Sequence, residues 1–389
     1  MTSQAFSPGQ LGPVTLRNRI IKAATFEGAT PKGQVTDALI DYHVKVASGG
    51  VGMSTVAYLA VSPEGRTGRG CIVLGPDTVE GLSRLTDAIH AEGAKAAAQI
   101  GHAGPVANPK SNRVPSLAPS RHIGAMGTVS HEVSEAGIER ITEDYRKSAA
   151  TAVQAGFDAL EIHLGHNYLL SAFLSPKLNK RKDRWGGNLE NRARFARQVV
   201  EAVRAAAGEN VAVTAKLNMA DGVRGGLWLD ESLRVAQMLE ADGHLDALEL
   251  TGGSSLSNPM YLFRGDAPLE EFGATLPQPF RFGFKLIGSR FMPSYPFEEA
   301  FFLPFARQFR DALTMPLILL GGINRLDTIE HAIDLGFPFV AMARALLREP
   351  DLINKMKKGS SSEALCIHCN KCMPTIYSGT RCVLVSKGP

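Results

Sequence analysis

The sequence predicts an α/β protein, a closed (β/α)8 barrel, and three observations lead there. Short runs rich in β-branched residues alternate with longer amphipathic stretches, the pattern of a parallel sheet built from βα units. Eight such runs occur, each followed by a helix-like stretch, which points to a closed barrel rather than an open doubly wound sheet. The two longest connections follow the third and sixth runs, at strand ends where barrels build their sites.

The predicted strands are Arg19–Thr25, Val51–Ala57, Ala94–Ile100, Asp158–His163, Val211–Leu217, Ala247–Thr251, Leu317–Leu320 and Phe339–Met342. The predicted helices are Asp37–Ser48, Pro76–Ala91, Glu143–Ala155, Leu189–Ala206, Leu229–Ala241, Pro296–Ala312, Arg325–Leu335 and Pro350–Lys357. Gly49-Gly50 and Gly156 supply stop signals. The long connections run from Gly101 to about Ile141 and from Gly252 to about Tyr295. Their Phe, Tyr, Leu and Met content argues for ordered capping loops rather than disordered insertions. The whole chain, 1–389, reads as a single domain, with a tail over 346–389 that carries four cysteines.

Composition narrows the function. With 44% hydrophobic and 21% charged residues, the chain can bury a large core. Forty-two Lys+Arg against 38 Asp+Glu leave +4, too weak a bias for a nucleic-acid partner. The basic run Lys177 to Arg184 reads as a solvated loop. No stretch approaches ~18 uninterrupted apolar residues, so no membrane span is expected. The start MTSQAFSPGQ lacks a basic-then-apolar leader, and a cytoplasmic location is expected. Homo-oligomerisation stays open. Cys71 stands alone, while Cys366, Cys369, Cys372 and Cys382 crowd the tail, unlike a secreted disulfide framework.

Polar residues at the strand ends should converge in one mouth. Gln99 and His102 follow the third strand, His163, His166 and Tyr168 the fourth, and Lys216 ends the fifth. Each alone could be an ordinary hydrogen-bonding or salt-bridging residue, but together they favour a functional site. Gly321-Gly322 after the seventh strand and Ala343-Arg344 after the eighth sit where barrels commonly hold a phosphate. Turns also need glycine for their own reasons.

The motifs then become specific. Gln99-Ile-Gly-His-Ala-Gly104 resembles the Gln-x-x-His-Ala-Gly segment of the old yellow enzyme family. Glu161-Ile-His-Leu-Gly-His-Asn-Tyr-Leu-Leu, continuing through Phe173-Leu-Ser-Pro176 to Arg184-Trp-Gly-Gly-Asn-Leu-Glu-Asn-Arg192, resembles that family's longest signature. Asn18-Arg19 and the late Gly-Gly and Ala-Arg pairs fall in matching order, so the resemblance covers nearly the whole chain.

The resemblance implies bound FMN, with NADH or NADPH as electron donor and a small-molecule substrate. It places Gln99 on the pyrimidine edge of the flavin, and Lys216 near N1 and O2, where the family usually has Arg. Ala23, Ala24, Thr25 and Ala57 would line the ring, while Gly321, Gly322, Ala343 and Arg344 would serve the phosphate side. His163 and His166 match the pair that binds a substrate carbonyl oxygen, and Tyr168 matches the proton donor. Phe26 would face substrate, where smaller or polar residues are common. A metal at His163-x-x-His166 is the weaker alternative, because no third ligand is apparent nearby.

Departures affect substrate preference and redox tuning rather than FMN binding. Pro105 follows His-Ala-Gly where Arg is common, and Asn167 replaces the usual Gly before the tyrosine. Larger relatives resembling dienoyl-CoA reductase and trimethylamine dehydrogenase carry a four-cysteine [4Fe–4S] site after the barrel. Here the spacing Cys366-x2-Cys369-x2-Cys372-x9-Cys382 is shortened, and a cluster, a zinc ion or unliganded thiols all fit it. The leading functional reading is an NAD(P)H-dependent ene-reductase acting on α,β-unsaturated carbonyl or similar electron-poor substrates. The alternatives are an FMN-dependent amine dehydrogenase or demethylase and a non-flavin, phosphate-binding lyase or isomerase.

Overall fold

A computed structural model describes residues 3–124, 127–278 and 280–385. Residues 125–126 of the first long connection and 386–389 of the predicted tail lie outside them, as do residues 1–2 of the start.

The strands run, in chain order, β1 (Gly9–Leu11), β2 (Val14–Leu16), β3 (Ile20–Lys22), β4 (Met53–Ala60), β5 (Lys95–Gly101), β6 (Ser116–Ala118), β7 (His122–Ile123), β8 (Val129–Glu132), β9 (Ala159–Leu164), β10 (Ala212–Asn218), β11 (Ala247–Thr251), β12 (Leu317–Leu320) and β13 (Phe339–Met342). Eight of these close a parallel barrel in the order β3-β4-β5-β9-β10-β11-β12-β13, with β13 pairing back onto β3. The predicted (β/α)8 barrel is therefore the observed one. All eight predicted strands belong to it, and β11, β12 and β13 have the predicted bounds.

The strands are apolar almost throughout because both barrel faces are covered, by helices outside and by packed side chains inside. The hairpin β1–β2, absent from the sequence reading, places Leu11, Val14 and Leu16 against Ile21, Met53, Ala97, Ala159, Ala212, Ala247 and Phe339. It plugs the amino-terminal end and leaves the carboxyl-terminal mouth for chemistry.

Three boundaries differ for identifiable reasons. The first strand stops at Lys22, since Ala23 makes one last bond to the Met342 carbonyl and the chain then leaves the sheet at the rim. The helix expected from Glu143 begins at Glu135, where Ser134 accepts a hydrogen bond from the Gly137 amide and caps it. Residues expected to open a helix at Pro296 are non-helical up to Leu303, because Glu299 instead binds the Asn324 and Arg325 amides. The long connections are ordered where described: the first holds the small sheet β6-β8-β7, the second the helices Leu269–Thr275 and Phe280–Phe291.

Candidate active site

The segment after β9 turns sharply into the mouth. His166 and Asn167 adopt positive φ, 60° and 59°, and the short helix Leu169–Leu174 follows. Asn218, at the end of β10, accepts from the His166 amide at 3.0 Å, and the His102 carbonyl accepts from the Leu169 amide at 2.9 Å. These bonds hold a turn that few non-glycine residues adopt, in register with the loops after β5 and β10. His163, His166 and Tyr168 are thereby brought together. The His163 and Tyr168 rings meet edge to face at 4.3 Å between centroids.

The two imidazoles form a chain rather than a pair of parallel donors. His163 Nε2 lies 2.8 Å from His166 Nδ1, and His166 Nε2 lies 3.1 Å from the Thr251 hydroxyl. His163 Nδ1 is buried with no hydrogen-bond partner. Burial, then the neighbouring His166 and the Lys216 charge, hold His163 far below the usual histidine range. Burial and Lys216 lower His166 to about 3. Both rings are neutral at ordinary pH. Tyr58 packs edge-on against Tyr168 at 5.4 Å and donates its hydroxyl to the Gly65 carbonyl at 2.8 Å.

Below this cluster, the barrel interior carries a second polar layer. Gln99 on β5 lies beside Glu161 on β9 in the sheet register and donates to its carboxylate. Lys216 on β10 contacts Glu161 at 3.0 Å and Glu249 on β11 at 2.8 Å. All four side chains are buried. Burial opposes the Lys216 charge, but the two carboxylates outweigh it and raise its pKa. Glu249 is pushed up to about 8, chiefly by burial and further by Glu161, against the pull of Lys216. Its Oε1 is buried and meets the Lys216 ammonium as an ion pair. Sequence reading missed Glu161 and Glu249 as site residues. The available signal was a single carboxylate inside each apolar run, Ala159-Leu-Glu-Ile-His-Leu164 and Ala247-Leu-Glu-Leu-Thr251.

Opposite stands a wall of small side chains. Lys22 bonds Glu27 at 2.7 Å and the Thr55 carbonyl at 2.9 Å, while Glu27 accepts from the Ala57 amide at 3.2 Å. This buried pair ties the Ala23–Thr25 rim to the end of β4. Ala24, Phe26 and Tyr168 pack together around Ala57 and Tyr58.

The residues expected to serve a phosphate are engaged with protein. Gly321 and Gly322 have φ of 113° and 74°, and an added Cβ would approach Phe302 or Phe301 to 2.6 Å. Their lack of side chains is thus already required by packing. Ala343 precedes the short helix Arg344–Arg348. Arg344 is half-buried and donates to the Arg264 carbonyl at 2.8 Å and to Asn370.

Asn370 belongs to the tail, which is tied across the mouth. It donates to the Phe263 and Asp266 carbonyls, Thr380 bonds Phe26 and Glu27, and His368 stacks on Phe297 at 3.4 Å. Cys366, Cys369, Cys372 and Cys382 line one cavity with Arg344 and Arg348. Among the described residues, no three His, Cys, Asp or Glu side chains are arranged to hold a metal ion, so no step is assigned to one. Burial pushes the Cys366 thiol up, and the Cys372 thiol up to about 11.

The mouth therefore offers an amide, an ammonium, neutral imidazoles and a phenol against a wall of small side chains. That donor set, at the carboxyl-terminal mouth of a (β/α)8 barrel, is chemically suited to a flat heteroaromatic with acceptors along one edge, as expected of a cofactor-binding barrel enzyme. The chain belongs to the NADH:flavin oxidoreductase / NADH oxidase family, whose sequence pattern matches residues 4–249, and it is an oxidoreductase. It is 63% identical over 385 residues to a 4,4'-dithiodibutanoate disulfide reductase of Rhodococcus erythropolis, a match spanning 98% of this chain and 95% of that one. It is 33% identical to a metal reductase of Desulforamulus reducens over 96% of its own length, but it spans only 52% of that protein. Among solved structures, the old yellow enzyme homologue from Zymomonas mobilis superposes with a TM-score of 0.73 over 94% of this chain and 96% of that one. 2-Naphthoyl-CoA reductase reaches 0.83 over 98% of this chain and 57% of that one. At 22% and 24% identity these two speak to the fold. No helix among the described residues is long and apolar enough to cross a membrane.

Proposed function

We propose that this chain is an FMN-dependent NAD(P)H oxidoreductase that reduces a small organic disulfide. The observation that carries this reading is the 63% identity, nearly end to end in both chains, to a reductase of 4,4'-dithiodibutanoate disulfide. The overall change is R–S–S–R + NAD(P)H + H⁺ → 2 RSH + NAD(P)⁺. Bound FMN would supply the two-electron transfer between nicotinamide and acceptor.

The protein's own groups bind, orient and protonate. Gln99 and Lys216 would hold the pyrimidine edge of the ring, with Ala23, Ala24, Thr25 and Ala57 as the wall and Gly321, Gly322, Ala343 and Arg344 toward the phosphate. His163, His166 and Phe26 would position the acceptor. Neutral imidazoles suit that role, since they donate one N–H each without placing a fixed charge in a dry pocket. Tyr168, packed on His163, would give a proton to the departing sulfur.

The same residues support a second reading, reduction of α,β-unsaturated carbonyl compounds, with Tyr168 protonating carbon and the imidazoles binding the carbonyl oxygen. It is favoured by the His163, His166 and Tyr168 cluster. The 2.8 Å contact occupies one nitrogen of each ring and Thr251 the second of His166, so a ligand oxygen would either meet His163 Nδ1 or displace one of these bonds. Anaerobic turnover of purified protein with NADH and NADPH, offered 4,4'-dithiodibutanoate or a cyclic enone, tests both. Release of two thiols per nicotinamide is expected with the disulfide. Turnover of the enone without any disulfide turnover would overturn the first reading in favour of the second.

A further inference from the structure

Binding residues account for Gln99 and Lys216 but leave Glu161 and Glu249 without a role. One ammonium serves two carboxylates, at 3.0 Å and 2.8 Å, in a buried layer. A single carboxylate would neutralise Lys216. A second buried carboxylate is costly, and Gln99, spent on Glu161, brings no compensating charge. Stability alone would discard it.

We propose that Glu249, together with Glu161, sets the reduction potential of the flavin held beside Lys216, by sharing the ammonium's charge and so withholding it from the electrons the ring receives. This rests on the reading that FMN lies against Gln99 and Lys216. A lone cation there would favour the electron-richer ring, and each carboxylate nearby opposes that preference through the same Coulomb attraction and repulsion. Where Glu249 is ionised, towards pH 8 and above, the outcome is a flavin of lower potential and a stronger reductant. A disulfide acceptor calls for such a donor, because stable disulfides have low potentials themselves.

The arrangement also makes the effect pH-dependent. Glu249 faces Lys216 from β10 and Glu161 from β9, and its register neighbour on β12 is the apolar Ile318. His163 and His166, beyond Lys216, are held neutral, so among these groups Glu249 is the one that changes charge between about pH 7 and 9. Charging the ring raises the proton affinity of a nearby carboxylate. Reduction therefore takes up extra proton in that window, and the potential falls more steeply with pH.

The test is a redox titration against reference dyes of FMN-loaded wild type, Glu249→Gln, Glu249→Asp and Glu161→Gln from pH 6 to 9, with thermal unfolding of each. Glu249→Gln should raise the midpoint potential at pH 9 by at least a tenfold change in the two-electron equilibrium, about 30 mV, with a much smaller change at pH 6. It should also lose the extra steepness, which Glu249→Asp keeps. A merely structural role would move unfolding and leave the potential alone. Should Glu249→Gln fail to fold, Glu161→Gln must show the upward shift. Stoichiometric FMN with unchanged potentials in the folded variants overturns this inference, whereas wild type that binds no FMN overturns the flavin reading beneath it.

Discussion

His163 lies at the end of β9 and His166 and Tyr168 follow on the turn after it, and under the proposed function their chemistry separates by half-reaction. Hydride transfer from nicotinamide needs no phenolic proton, whereas the acceptor gains one. Tyr168→Phe should therefore slow acceptor reduction about 10²–10⁴-fold while nicotinamide oxidation stays near wild type, as read by stopped flow. Equal slowing of both steps would remove Tyr168 from the proton-donor role. Replacing both His163 and His166 with Ala should weaken acceptor and phenol binding and leave FMN bound. Loss of FMN with ligand affinity intact would show that they face the cofactor instead. Because burial lowers both imidazoles, to about 3 for His166, the acceptor step should carry no inflection near pH 6.5. An inflection there would mean that one ring titrates as an ordinary histidine.

At the scale of elements, the mouth depends on how β12 and the tail are seated. Gly321 has φ 113°, and a Cβ there would meet the fully buried Phe302 ring at 2.6 Å. Gly321→Ala should cost about 2–4 kcal/mol in urea denaturation, combining left-handed backbone strain with overpacking. A change under about 0.5 kcal/mol would mean that the ring moves aside. The tail is pinned mainly through Asn370, which donates to the Phe263 and Asp266 carbonyls and accepts from Arg344. Asn370→Ala removes all three of these part-buried bonds at once. Limited proteolysis should then cut within 365–385 well before the barrel. Unchanged protection would place the tail's anchorage at Thr380 and His368 instead.

For the whole molecule, the interior charge layer couples folding to pH. Glu249 has a folded-state pKa raised from 4.5 to about 8, so the folded chain holds this proton where the unfolded chain has released it. Its contribution is complete below about pH 4.5 and is lost as pH rises towards 8. Glu249→Gln, which cannot ionise, should gain stability relative to wild type progressively over that range. Thermal unfolding at several pH values checks this, and a constant difference would show that Glu249 is already ionised in the fold. The sequence offers one candidate phosphate site, at Gly321-Gly322 and Ala343-Arg344, and no dinucleotide-binding glycine fingerprint, so under the proposed function denaturation should release FMN rather than FAD. Chromatography of the released flavin decides it.

Local patterning determined the architecture. Eight apolar runs, each followed by an amphipathic stretch, bury both faces in a parallel sheet covered by helices, which with eight such units closes into a barrel, and strand ends such as β11 to β13 are legible because their residues have no alternative period. The motifs around Gln99 and His163 to Tyr168 marked the mouth, because polar groups at successive strand ends must converge once the barrel closes. What they touch was not legible. That His163 bonds His166, that Lys216 is shared by Glu161 and Glu249, and that Arg344 is spent on Asn370 depend on contacts between residues up to 55 positions apart. Such pairings arise from the register of parallel strands and the path of the tail, and no local period in the sequence records either. The sequence by itself determined which chemical groups reach the mouth. The tertiary structure alone decided which are already paired, and hence their charge, because burial and partners set a pKa only after the barrel has closed.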